Sequence, residues 1–315
     1  MELSIIIPIY NTAKYLEDCL KSLSSKFPYE FEVLLIDDGS TDNSPEICQR
    51  FVSTHDNARY IRQKNQGLSG ARNTGINNSK GNYLLFLDSD DYLYPGSLDT
   101  IISKIKNSTK DLYIGRAYKF IDGCQQLTLC QCDYSGKEIL KPCEIFDSLN
   151  SQKHFWFAAW IIICQRNFII DNQLYFYNGI LHEDELWVPT VIIHAQTIGI
   201  LNFGFYCYRT NREGSIVAMP NIKREFDKLL VIDELNKSKG VSIMGDKIIA
   251  DRQSSLIFGI ILSLYKHKSN NKYSDLLKLV KSKLAYLDYG KYKIMYQACR
   301  LFGVNRMSSI ANKLL

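Results

Sequence analysis

Two phosphate-binding signatures are missing from this chain. No G-x-G-x-x-G follows the first apolar run and no G-x-x-x-x-G-K-[ST] occurs anywhere, which argues against a dinucleotide turn and against a P-loop. There is also no apolar run near the ~18 residues that a bilayer-spanning helix needs. The longest runs, FWFAAWIIIC (Phe155–Cys164) and LIFGIILSLY (Leu256–Tyr265), read as core segments. The amino terminus carries no basic stretch and no small-residue cleavage site before LSIIIPIYN, so that segment reads as a first strand and not as a leader. The nine cysteines are odd in number and scattered, which fits a reducing cytoplasm better than a disulfide framework. Cys124, Cys130, Cys132 and Cys143 share one stretch, but their spacing matches no familiar zinc pattern.

What is present is an ordinary globular composition, 46% hydrophobic and 23% charged over 315 residues, enough for one large domain or two. The first hundred residues alternate. LSIIIPIY is a buried strand, and Tyr15, Leu16, Cys19, Leu20 and Leu23 then recur on one helical face behind Asn11-Thr12. FEVLLID is a second strand. Ser44, Pro45 and Glu46 make a helix start: a cap, a first-turn proline and an acid. ARYIRQ is a third strand, Leu68–Asn78 a helix, Tyr83–Leu87 a fourth strand and Ser97–Ile105 another helix. This order predicts an α/β fold with a mostly parallel central sheet flanked by helices.

Polar clusters follow three of these strands: PIYN, DDGSTDNS and DSDD. In an open α/β sheet ligands bind beyond the carboxyl ends of the strands, so Tyr10, Asp37, Asp38, Asp88, Asp90 and Asp91 are expected along one edge. Such oxygen-rich groups hold hard ions, Mg²⁺ or Mn²⁺, together with substrate phosphates. Helix capping plus a solvated turn is the plainer alternative for any one Asp. A phosphatase with a first-strand Asp nucleophile is disfavoured, because DSDD follows the fourth strand.

SIIIPIYN, LLIDDGSTDNS, NQGLSGARNTGI, YLLFLDSDDYLYP and LHEDELWVP, taken in order over roughly residues 3 to 215, resemble the successive signatures of family 2 glycosyltransferases with the GT-A fold. The resemblance implies inverting transfer of a sugar from a nucleotide diphosphate donor, a UDP-sugar foremost, to an acceptor hydroxyl of a glycan or lipid-linked glycan. It also implies a divalent metal and a place in surface-polysaccharide synthesis. Carried over, it puts Pro8 and Tyr10 against the base and Asp38 on the imide N–H of uracil, although thymine and guanine also offer a ring N–H. Arg72 reaches the base or phosphates and Asp88 the ribose or donor sugar. Asp90 and Asp91 hold the metal, with Asp88 as the first Asp of D-x-D, and which of the three ligate stays open. Asp184 is the general base, with Glu183 orienting it or binding acceptor, while His182 is structural. Arg209 and Arg212 neutralise the leaving diphosphate. Trp156, Trp160 and Trp187 read as core residues before acceptor platforms. The alternative reading is a catalytically silent homologue that binds nucleotide-sugar or glycan within an assembly.

The expected division is a transferase domain over 1–220, with a nucleotide-binding half (1–100) and an acceptor half (101–220), and a helical basic region over 221–315. From Lys266 to Leu315 there are 11 Lys or Arg against two Asp, a net +9 that leaves −4 for the rest of the +5 chain. That charge beside helical apolar spacing (Leu276, Leu277, Leu279, Val280, Leu284, Leu287) suits either an anionic membrane surface or a small helical subdomain with a solvated basic face. No motif supports nucleic acid. The expected location is the cytoplasm, peripheral to the inner face of the membrane.

Overall fold

A computed structural model describes residues 1–121, 128–130, 139–140, 157–210 and 221–314. It divides into two compact units: Met1–Gly179 with His194–Glu213, and Ile180–Ile193 with Gly214–Leu315.

The first unit starts from three strands that are buried along their whole length: β1 (Leu3–Ile9), β2 (Phe31–Asp37) and β4 (Tyr83–Phe86). Such burial from end to end suits parallel strands covered on both faces. β1 pairs in parallel with β2 and β4, and β2 pairs in parallel with the half-buried β3 (Ala58–Arg62). Pro8 has no N–H to give, and it lies beyond the last β1–β4 pair, Ile6 with Phe86, so no ladder bond is lost on that side. Helices α1 (Ala13–Lys21), α2 (Ser44–Val52), α3 (Gly67–Asn78) and α4 (Ser97–Ile105) alternate with these strands. α1 buries Tyr15, Leu16, Cys19 and Leu20, the face its spacing predicts.

The start of α2 differs from expectation. Ser44 lies inside α2 and not at its cap; Asn43 holds that position without a side-chain bond. The Ser44 hydroxyl instead accepts from the Thr12 N–H at 3.1 Å, and Asp42 accepts from Ala13 N–H at 2.9 Å. The polar residues after β2 therefore satisfy the amino end of α1, which tertiary contact decides and local propensity does not.

After β4 the sheet becomes mixed. β5 (Tyr92–Leu93), β6 (Leu112–Ile121), β7 (Thr128–Cys130), β8 (Ile139–Leu140), β9 (Ile162–Gln165) and β10 (Ile198–Thr210) complete it, in the order β3-β2-β1-β4-β9-β6-β10-β5. β9 runs antiparallel to both β4 and β6, while β6 and β10 are parallel. β5 pairs antiparallel with β10 through Tyr206–Leu93 and Cys207–Tyr92, which carries the DSDD segment to the end of β10.

The second unit is helical: Ile222–Leu235, Ile243–Ser263, Tyr273–Ser282, Lys293–Phe302 and Val304–Leu314, with the turn and helix that begin at Ile180. Its centre is the longest helix, whose Ile248, Ile249, Ile257, Ile260 and Ile261 are buried. The stretch Ile243–His267 is long and apolar enough to cross a bilayer, contrary to the reading of uninterrupted runs, yet half of it is buried in this unit as a core helix. Leu276, Val280 and Leu287 are fully buried, so the basic tail supplies part of this core. The buried Cys19, Cys48, Cys164, Cys207 and Cys299 are free thiols. The side chains of Cys124, Cys130, Cys132 and Cys143 lie outside the described residues.

Packing of α3 on β1 gives a stability test. A Cβ on Gly75 would overlap the Ile6 side chain. Gly75→Ala should therefore lower stability by about 1–3 kcal/mol, although alanine alone favours a helix by about 1 kcal/mol. A urea midpoint at or above that of the unaltered protein would contradict this packing.

Candidate active site

The carboxyl ends of β1, β2 and β4 bring the expected motifs together. Asn11 has φ of 52°, a left-handed conformation that asparagine tolerates, and its side-chain oxygen accepts from Thr41 N–H and Asp42 N–H at 2.8 and 3.3 Å. The Thr12 hydroxyl donates to Ser89 at 2.9 Å, tying the first motif to the DSDD segment. Tyr10 stands at this edge 51% exposed, a ring held by the backbone and open to solvent.

The two adjacent Asp residues after β2 divide their work. Asp37 is fully buried and accepts from Ser40 N–H at 2.8 Å and from the Tyr60 hydroxyl at 2.6 Å. Burial, followed by that bond and the carboxylate charge, raises the Tyr60 pKa. Asp37 is thus an anchor of the turn. Asp38 accepts from Gln63 Nε2 (2.7 Å), Gln66 N–H (2.9 Å) and Gly67 N–H (2.8 Å), so it holds the start of α3. A carboxylate has about four acceptor positions, and these bonds take three of them.

The DSDD segment is just as differentiated. Arg72 is a buried residue of α3, not a surface one, and its guanidinium bonds Asp88 at 2.8 Å while lying 5.2 Å from the Phe176 ring centroid. Asp88 remains 23% exposed and Asp90 is partly exposed, whereas Asp91 is 1% exposed. Both oxygens of Asp91 are engaged, one by Arg209 N–H and one by the Tyr206 hydroxyl, each at 2.7 Å. Burial, then the charges of Asp90 and Asp88, raise the Asp91 pKa well above the usual carboxylate range. The expected metal set Asp88, Asp90 and Asp91 is therefore not assembled as three converging ligands. Among the described residues no three His, Cys, Asp or Glu side chains are arranged to hold an ion. Asp91 is turned inward because β10 supplies its donors.

Arg209 is likewise a strand residue and not an exposed loop one. It is 8% exposed, donates from Nε to the Asp90 carbonyl at 2.9 Å, and lies 4.9 Å from the ring centroids of both Tyr15 and Phe120. Tyr206 also accepts from Asp88 N–H at 3.2 Å and stacks on Trp160 with centroids 4.3 Å apart. Tyr206 and Gln63 were not anticipated, since neither lies in an acidic motif; only pairing of β10 with β5 and the path of the 63–67 loop give them their partners. Arg212 and Trp156 lie outside the described residues, and Trp160 and Trp187 are buried.

In the second unit Glu183 precedes the helix Asp184–His194 and its carbonyl accepts from Trp187 N–H at 2.9 Å. Glu183 is 6% exposed and Asp184 is partly exposed, so burial separates the pair. Arg252, from the long helix, meets Glu185 at 2.9 Å. His182 takes φ of 67° and its Nε2 accepts from Arg224 Nε at 3.2 Å. Burial, then the nearby Lys228 and Arg224 charges, lower its pKa to about 4, a structural and neutral imidazole.

Residues 4–162 match the family described as Glycosyl transferase family 2. The chain is 34% identical over 221 residues to "Glycosyltransferase GlyA" of Streptococcus pneumoniae, covering 68% of this chain and 31% of GlyA, so it spans about a third of that relative. It is 29% identical over 311 residues to "Glycosyltransferase GlyG" of the same organism, covering 95% of each. Among solved structures, Staphylococcus aureus TarS 1–349 in complex with UDP-GlcNAc has a TM-score of 0.74 at 20% identity, covering 100% of this chain and 91% of TarS, a likeness of fold.

The neutral His182 sets a pH dependence. Its folded pKa of about 4 lies below the ordinary 6.5, so the unfolded chain binds the proton first. The stability linked to it is complete above about pH 6.5 and is lost as pH falls toward about 4. Unfolding by urea should show a decline between neutral pH and about pH 5 that His182→Gln makes shallower. An identical decline in both proteins would remove His182 as its source.

Proposed function

The chain belongs to glycosyltransferase family 2, and from that premise we propose that it transfers a sugar from a UDP-sugar, with inversion, to a hydroxyl of a surface glycan or lipid-linked glycan. The observation that carries the donor side is the division of labour at the strand ends. Asp91 and Asp37 are buried as supports, Asp38 is buried as well but has an acceptor position beyond its three bonds, and Asp88 and Asp90 are partly exposed. The remaining acceptor position of Asp38 suits the ring N–H of uracil, and Tyr10 beside Pro8 offers its exposed ring to the base. The TarS complex with UDP-GlcNAc supports the same class of donor.

Asp88 and Asp90 fit an ion of the Mg²⁺ or Mn²⁺ type, which is commonly held by one or two carboxylates with the rest of its shell from phosphates and water. The residues that would hold it are these two, with Asp91 behind them. Such an ion, when bound, offsets the charge that the diphosphate gains as it leaves. Arg72 and Arg209 keep positive charge against the same carboxylate segment, each pinned by an aromatic ring. On the acceptor side Asp184 takes the hydroxyl proton as oxygen attacks the anomeric carbon and the bond to the diphosphate breaks. The sugar inverts and no covalent enzyme intermediate forms. Glu183, buried beside it, orients the acceptor motif.

Titration of UDP by calorimetry tests the donor site. Asp90→Ala should abolish most of the gain in affinity that Mn²⁺ gives, because the diphosphate then meets carboxylates with less compensating charge. Full retention of that gain would place the ion elsewhere.

Asp184→Asn keeps shape and removes basicity. Transfer should fall roughly 10²- to 10⁴-fold, the contribution of a positioned general base, with UDP-sugar affinity little changed. Near-normal transfer would pass the role to Glu183, and lost donor binding would assign Asp184 to the nucleotide site.

A further inference from the structure

Helix Lys293–Phe302 buries one face through Cys299, yet its opposite stripe is also apolar. Ile294 is 81% exposed and Leu301 76% exposed. Seven residues apart at about 100° per residue, they fall on nearly the same side of the helix, and the exposed Phe302 flanks them. Single exposed apolar side chains are common, but a solvent-facing helix stripe is ordinarily polar. Lys293, 3.8 Å from Asp288, and Arg300 stand exposed on the same helix, Lys291 just before it, and Arg306 lies 5.8 Å from the Phe302 ring centroid, all within the segment of net charge +9.

We propose that the Ile294–Leu301–Phe302 stripe seats the chain on an anionic lipid surface. The three side chains enter the boundary between headgroups and acyl chains, and the surrounding cations meet the headgroup charge. The charge selects this occupant. A second copy would bring the same cations against these, and like charges across an interface oppose association. The inference stands apart from the donor reading, since lipid binding and UDP binding are measured separately.

The test is co-sedimentation of the full chain with vesicles of phosphatidylcholine alone or with about 30% phosphatidylglycerol, at low and raised salt. Binding is expected only to the anionic vesicles and should weaken with salt. Ile294→Gln with Leu301→Gln should reduce partition at least about tenfold, through loss of apolar burial. Lys291→Gln with Lys293→Gln should reduce it by roughly the same factor, at about 1 kcal/mol per cation. All four positions are exposed, and unchanged unfolding midpoints would show both variants folded. Equal binding to neutral vesicles, or no loss in either folded variant, overturns the proposal. So does a concentration-dependent dimer in sedimentation velocity that the apolar variant abolishes, which would assign the stripe to a second copy.

Discussion

A carboxylate removed from water needs donors, and the way Asp91 obtains them organises the transferase-like unit. Its two oxygens take the Tyr206 hydroxyl and the Arg209 N–H, both from β10. β10 therefore has to run beside the segment that follows β4, and the short β5 pairs with it there. Removing one partner of such a buried carboxyl group leaves the other without its hydrogen bond, which costs far more than the net value of the bond. The exposed part of the acidic segment is thus held in place by its buried part.

The same logic connects the other strand ends. Asp37 secures the turn after β2, and Asp38 secures the start of α3. α3 in turn carries Arg72 to Asp88. Both Asp residues after β2 fix backbone, whereas in DSDD only Asp91 is buried and Asp88 and Asp90 stay partly exposed. This resolves the repulsion inherent in three carboxylates within four positions: Asp91 leaves the solvent and is driven toward its protonated form, Asp88 has a guanidinium, and Asp90 faces outward in part.

The helical unit shows a similar economy around the HEDELW segment. His182, Glu183 and Glu185 are engaged by burial or by basic residues that lie far along the chain, Arg224 and Arg252. Asp184 sits at the first turn of its helix, where the helix dipole favours a negative side chain. The basic tail is not an appendage, because its Leu276, Val280 and Leu287 fill the core around the long helix.

By itself the sequence determined the alternation of strands and helices in the first hundred residues, the buried face of α1 and the strand-end location of the acidic motifs. Those features follow from local periodicity and from composition, which short segments carry on their own. Family membership was legible too, because five motifs occur in order. Tertiary structure alone decided that Asp37, Asp38 and Asp91 are buried supports while Asp88 and Asp90 stay partly exposed. It also decided that Arg72 and Arg209 are buried, that Ser44 serves another helix, and that the latter half of the sheet is mixed. These outcomes depend on partners such as Tyr206, Gln63 and Arg252, separated by tens to more than a hundred residues from what they hold. A side chain's burial is a property of the packed neighbours, and no window of sequence contains them.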